Sequence, residues 1–430
     1  MRFLLVLSTT ALLATGMLPS SSAAQADHDA QIRELMNHPA VRRALDHIEE
    51  TDAQTMADLR TLTQIPAPPF QEEERGRAFL VMLREIGVDS AWVDEVGNVI
   101  GLRRGTGSGE VLALAGHLDT VFPPETDVTI RESGDTLFAP GIADDTRGLA
   151  TVLAILRAMN AADVRTEADI LFIGNVGEEG LGDLRGMKHL FREGGPRIDA
   201  FISVDGTGSS GITHMGLGSH RYRVTFLGPG GHSWGAFGLA NPMHALGRAI
   251  RHFQDGADPY TRNAPFRTSY NVGRIGGGTS VNSVPFEAWM EIDMRSEGVE
   301  TLEGVDAILQ GAIQRALAEE NELRTRGEPL TVDVDQVGDR PSGEITEDHP
   351  FVQQAAAVTR ALGLEPRFGR SSTDSNIPIS MGIPAITTGG GGQGFGAHSL
   401  DEWFRNEDGP IGIQRVLLIA LAQVGVAQAS

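Results

Sequence analysis

The chain is 430 residues long, enough for two or three domains with substantial cores. Its 57 Asp and Glu against 35 Lys and Arg give a formal charge of −22, which opposes binding to nucleic acid or anionic lipid and suits carboxylate-rich cation sites. With no Cys, disulfides, thiolate zinc sites, iron–sulfur clusters and cysteine nucleophiles are excluded.

The chain opens on Met1-Arg2, followed by a mostly apolar run over residues 3–18 that Ser8, Thr9, Thr10 and Thr15 interrupt. Small residues come next, and Ser22-Ala23-Ala24 and Ala24-Gln25-Ala26 both fit a small-x-small cleavage rule. The pattern predicts a signal peptide over residues 1–24, too short for a membrane anchor. The expected product is exported, periplasmic or secreted, with no membrane attachment after cleavage.

Residues 29–63 read as helical, until Pro66, Pro68 and Pro69 break the pattern. A helix is predicted over 72–86, then extended chain over 91–102 with a Gly97-Asn98 turn. Continuous apolar runs at 111–115, 168–173 and 200–204 are the mark of strands buried on both faces, and helical patterns at 149–159 and 186–191 alternate with them. The period then changes. Residues 221–226, 268–275, 288–294 and 331–337 alternate as strands, with helices at 242–253 and 302–323. After Pro341 the buried pattern resumes, with a helix at 351–362 and a short strand at 385–386. The expected fold is α/β: a mostly parallel sheet flanked by helices, interrupted by an α+β, ferredoxin-like module. The boundaries read as 27–216 and 339–430 for the larger domain and 217–338 for the inserted one.

Five short motifs carry the chemistry. Gly116-His117-Leu118-Asp119-Thr120 follows the first buried strand, where residues two apart face one side, so Asp119 can hold the His117 ring. Pro140-Gly141-Ile142-Ala143-Asp144-Asp145 is a turn leading into a helix, and Gly177-Glu178-Glu179-Gly180 follows the second strand. Asp205 follows the third strand, and His398 lies in a loop at 394–399. Ligands bind at the carboxyl ends of such strands. Several carboxylates in one crevice repel unless a cation neutralises them, and two His with Asp and Glu match zinc or a similar divalent ion. One Glu of the Glu178-Glu179 pair is left to act as a base. Singly, each motif is better read as a surface pair or core histidine, a solvated loop or a helix cap. Jointly they favour a metal site.

These residues resemble the co-catalytic zinc hydrolases that include carboxypeptidase G, peptidase T, carnosinase, aminoacylase and acetylornithine deacetylase. Gly116-His117-Leu118-Asp119-Thr120-Val121, Ala143-Asp144-Asp145, Gly177-Glu178-Glu179 and Gly231-His232-Ser233 stand in that family's order. The resemblance implies two divalent ions, zinc in the family. His117 and Asp205 would hold one ion and Glu179 and His398 the other, with Asp144 shared. It implies Glu178 as general base, Asp119 orienting His117, and a cis peptide between Asp144 and Asp145. It also implies that the inserted module is a lid that makes a homodimer. The lid's His232, Asn282 and Arg295, together with Thr373, would contact substrate, Arg295 through its fork on a carboxylate. The bridging motif and an Asp at 205 favour short peptides over N-acyl amino acids, with amino-, di- or tripeptidase action expected and a deacylase as the alternative.

Three rival readings remain. Gly231-His232-Ser233-Trp234-Gly235 fits a nucleophile elbow, with Asp374 and His398 in the order of a serine hydrolase. Gly206-Thr207-Gly208-Ser209-Ser210-Gly211 fits a dinucleotide loop, although residues 212–216 do not open a helix and both this run and 389–392 read as flexible loops. A non-catalytic receptor would keep the cleft without needing Glu178.

Overall fold

A computed structural model describes residues 21–107 and 109–427. Residues 1–20 of the expected signal peptide lie outside the described residues, and Ser21–Asn37 is a helix. The 29–63 stretch is three helices rather than one, Ser21–Asn37, Pro39–Glu50 and Asp52–Thr63. Pro39 has no N–H to continue the first helix and instead opens the second.

A nine-stranded mixed sheet forms the larger layer. Asp169–Asn175, Val111–His117, Ala200–Val204 and Ala385–Thr388 run parallel through its centre, and antiparallel strands flank them. The apolar runs predicted as buried strands are these central strands, and they are buried nearly throughout. The helices Thr146–Ala161 and Gly409–Val424 pack against them with side chains such as Leu153, Ile155, Val416 and Leu417 wholly buried. Each such aliphatic side chain contributes about 1.5–3 kcal/mol on burial. The loop expected at 206–211 holds as far as Ser210. Gly211–Gly216 is a strand, paired parallel to Arg367–Ser371.

The inserted module follows the order strand, helix, strand, strand, helix, strand. Its sheet reads Thr268–Gly277, Glu287–Ser296, Gly218–Leu227, Thr331–Arg340, antiparallel throughout. The last strand continues past residue 338 to Arg340. Along Glu287–Ser296, Ala288, Met290, Ile292 and Met294 are buried in the core shared with Phe253, Leu309 and Ile313 of the two helices. By the two-residue period, Trp289, Glu291, Asp293 and Arg295 then face the other side. That charged face looks toward the larger sheet, because Arg221 beside Asp293 donates to the Gly180 carbonyl.

Gly148, in the first turn of Thr146–Ala161, lies tight against the end of a central strand. A Cβ there would overlap the Val204 carbonyl oxygen and the Asp145 carboxylate. Neither can move without disturbing the strand end or the helix cap. Gly148→Ala is therefore expected to destabilise by about 3 kcal/mol, the upper end for overpacking. Gly247→Ala, in open space on an exposed helix, should instead stabilise by about 0.5–1 kcal/mol. Urea midpoints of the two variants check the pair of signs.

Candidate active site

The carboxyl ends of the three central strands bring the site together. His117 ends the first, Glu178 and Glu179 follow the second by a short turn, and Asp205 follows the third. Residue His117 is in register with Asn175, which fixes the first two groups side by side. Asp144 comes from the loop before the helix Thr146–Ala161, and His398 from the 394–399 loop at a left-handed φ of 65°.

Asp144 sits between the two histidines. Its Oδ1 is 3.0 Å from His117 Nε2 and its Oδ2 is 3.3 Å from His398 Nε2. His398 Nε2 is also 2.9 Å from Glu179 Oε1. Potential ligand atoms converge in three groupings: His117, Asp144 and Asp205; Asp144, Glu179 and His398; and His117, Glu178 and Glu179. The first two share Asp144.

Burial and repulsion act on these carboxyls together. Burial foremost, with the Asp144 charge adding to it, pushes the Asp205 carboxyl up to about 7. Burial likewise raises Glu178 well above the ordinary carboxyl range, against the opposing pull of Arg340. Burial acts upward on Asp144 too, but hydrogen bonds from His117 and His398 outweigh it and hold that carboxyl low. Imidazole and carboxylate donors packed this closely fit a pair of divalent cations, which would offset the repulsion.

Asp119 acts differently from the simplest expectation. Its backbone oxygen, not its carboxylate, is the close partner of His117 Nδ1, at 3.0 Å against 3.8 Å for Oδ1. Its carboxylate accepts the backbone N–H groups of Glu178 and Glu179 at 3.0 and 2.8 Å. Asp119 thus ties His117 to the Glu178-Glu179 segment. Asp145 is a second hub. It caps the helix by accepting from Gly148 N, and it also accepts from His117 N and Gly206 N, each at 3.1 Å. Asp144 and Asp145 are joined by a cis peptide.

Two residues had no signal in the sequence. Glu402 accepts backbone N–H groups from Gly141, Ala143 and Asp144 at 2.8, 2.8 and 3.0 Å, holding the Asp144 loop. Arg340, at the end of the lid strand, donates to Glu178 Oε1 at 3.0 Å and also to the Glu178 carbonyl. Neither lies near its partner in the chain, so no local motif could point to it.

A cleft of about 530 Å³ opens over the cluster, ample for a small ligand. Asp144, Glu178, Glu179, Asp205 and His398 line it, and so do Arg295 and Thr373. The Thr373 hydroxyl is 2.7 Å from Thr387 Oγ1. His232 and Asn282 do not line it. They lie together on the exposed side of the lid, where Gly231–His232 pairs with Ser283–Val284 and Ser233 N donates to the Asn282 carbonyl. The serine-hydrolase reading fails here. Ser233 is exposed and outside the cleft, His398 is engaged by Asp144 and Glu179, and Asp374 is buried against Asn175 at 2.8 Å. The dinucleotide reading fails as well, because a strand rather than a helix follows the 206–211 run.

Comparison with known proteins agrees. Residues 113–422 match the model of peptidase family M20/M25/M40. A succinyl-diaminopimelate desuccinylase of Corynebacterium glutamicum is 27% identical over 357 residues, 79% of this chain and 89% of the relative. A tripeptidase of Staphylococcus aureus shares the fold with a TM-score of 0.69 at 21% identity, over 86% of this chain and 98% of that one. A Bacillus subtilis protein described as a dinuclear metal-binding peptidase of family M20 shares it with a TM-score of 0.63 at 17% identity, over 87% and 99% of the two chains. The chain is a hydrolase of amide bonds belonging to peptidase family M20/M25/M40.

Proposed function

We propose that this chain is an exported dizinc peptidase of short peptides, with amino-, di- or tripeptidase action. The observation that carries the reading is the pair of ligand groupings that share Asp144. His117 with Asp205, and Glu179 with His398, would hold the two ions, and Asp144 would give one oxygen to each. Bound there, such ions supply Lewis acidity for the scissile carbonyl and acidify the attacking water.

Glu178 takes the proton that this water loses as its oxygen bonds to the carbonyl carbon. As the C–N bond breaks, Glu178 returns the proton to the leaving nitrogen, so the carboxylate is restored. Arg340 fixes the Glu178 side chain, and Asp119 fixes its backbone. Arg295 lines the cleft with its Nε held by Asp293, and a peptide carboxylate would fit its fork. The lid's exposed face around His232 and Asn282 would serve a homodimer contact, with those two residues reaching the partner's cleft. The similarity to a desuccinylase supports a second reading, deacylation of N-acyl amino acids at the same site.

Dipeptides, tripeptides and N-succinyl amino acids, compared before and after dialysis against a chelator, test this. Expected is cleavage of the peptides, loss on chelation and recovery with Zn²⁺. Turnover of the succinyl compounds alone would favour the second reading. Chelator-resistant turnover would contradict both.

A further inference from the structure

Four arginines line the cleft, Arg221, Arg295, Arg340 and Arg370, in a chain whose acidic residues outnumber its basic ones by 57 to 35. Their charges are not equally balanced. Arg340 is matched by Glu178, 3.0 Å away. Arg221 and Arg295 share a single carboxylate, their Nε atoms 2.8 and 2.9 Å from the two oxygens of Asp293. Arg370 has no carboxylate in ion-pair contact among the described residues. Its Nη1 donates to the Glu297 carbonyl at 2.9 Å and its Nη2 reaches Met215 Sδ at 3.2 Å.

The wall therefore carries one surplus charge on the Arg221–Asp293–Arg295 trio and another on Arg370. A guanidinium does not deprotonate, and removing it from water without a counter-ion costs free energy that an incoming anion recovers. Its planar fork suits a carboxylate. The residue that binds Arg370, Glu297, lies two positions after Arg295, so one stretch of chain brings both surplus cations to the cleft. Ser371 and Ser372 follow Arg370 in the chain and also line the cleft, where the Ser372 hydroxyl accepts from Arg340 Nη1 at 3.1 Å.

We propose that Arg370 forms a second anion subsite beside Arg295, and that the preferred substrates are amides whose released amino acid carries two carboxylates, one terminal and one on an acidic side chain. This rests on the amide-hydrolase reading of the cleft, but its test does not need turnover. L-Glutamate and L-glutamine have the same shape and the same terminal carboxylate, and differ in side-chain charge.

Calorimetric titration of the metal-loaded protein at low salt should show glutamate binding about ten-fold tighter than glutamine, a modest value for one charge-assisted pair. Arg370→Gln should abolish that preference and leave glutamine binding within two-fold of its original value. Arg370→Lys, which keeps the charge without the fork, should retain part of it. Equal affinities in the unaltered protein overturn the proposal, and so does a glutamate preference that survives Arg370→Gln. In a parallel assay Ala-Glu should be cleaved with a higher kcat/KM than Ala-Gln. An Arg370-dependent glutamate preference without cleavage of either peptide would support the subsite and contradict the peptidase reading.

Discussion

Glu178→Gln is expected to lower kcat by about 10²–10⁴-fold, the usual worth of a positioned acid–base group, while bound metal stays at two equivalents. The substitution is close to isosteric. The amide oxygen can still accept from Arg340, and the backbone N–H still reaches Asp119. What disappears is the site that takes a proton. Burial raises the affinity of that carboxyl for a proton, which suits a base that must accept one from water and pass it on. Steady-state kinetics and elemental analysis on one preparation make the check. An unchanged kcat would contradict the assignment. Loss of metal would make Glu178 a ligand instead, as the grouping of His117, Glu178 and Glu179 permits geometrically.

Asp144→Ala should have the broader effect. Its two oxygens each face a different histidine, so removing it opens both proposed ion sites at once. Metal content should fall from two equivalents to below one, and turnover by at least roughly 10³-fold, since metal assistance supplies several kcal/mol of transition-state stabilisation. His398→Ala removes a ligand from one site alone and should leave about one equivalent. Matching stoichiometries in the two variants would refute a shared Asp144.

Much of the larger domain was legible because strands buried on both faces have an unmistakable composition. The runs ending at Ala115, Ile173 and Val204 needed no partner information to be recognised, and their carboxyl ends placed His117, the Glu178-Glu179 pair and Asp205 near one another. The lid was legible through its change of period, clearest where Ala288, Met290, Ile292 and Met294 alternate with polar residues.

The remainder depended on distant pairing. Gly211–Gly216 begins and ends in glycine and mixes Thr213, His214 and Met215, so it resembles a loop until Arg367–Ser371 pairs with it. Glu402 and Arg340 act on residues 258 and 162 positions away. His232 stood in a recognisable motif and Asn282 followed from the family resemblance, yet their positions on the lid set them outside this chain's cleft. Arg370 gave no signal because its significance lies in lacking an acidic partner, which only the folded chain reveals.

Anomalous diffraction from crystals grown with Zn²⁺ measures the central claim most directly. The account predicts two peaks about 3.5–4 Å apart, as in two-metal sites generally, with one Asp144 oxygen on each, His117 and Asp205 on the first and Glu179 and His398 on the second. A single peak, or two peaks with Asp144 on neither or only one, would contradict it.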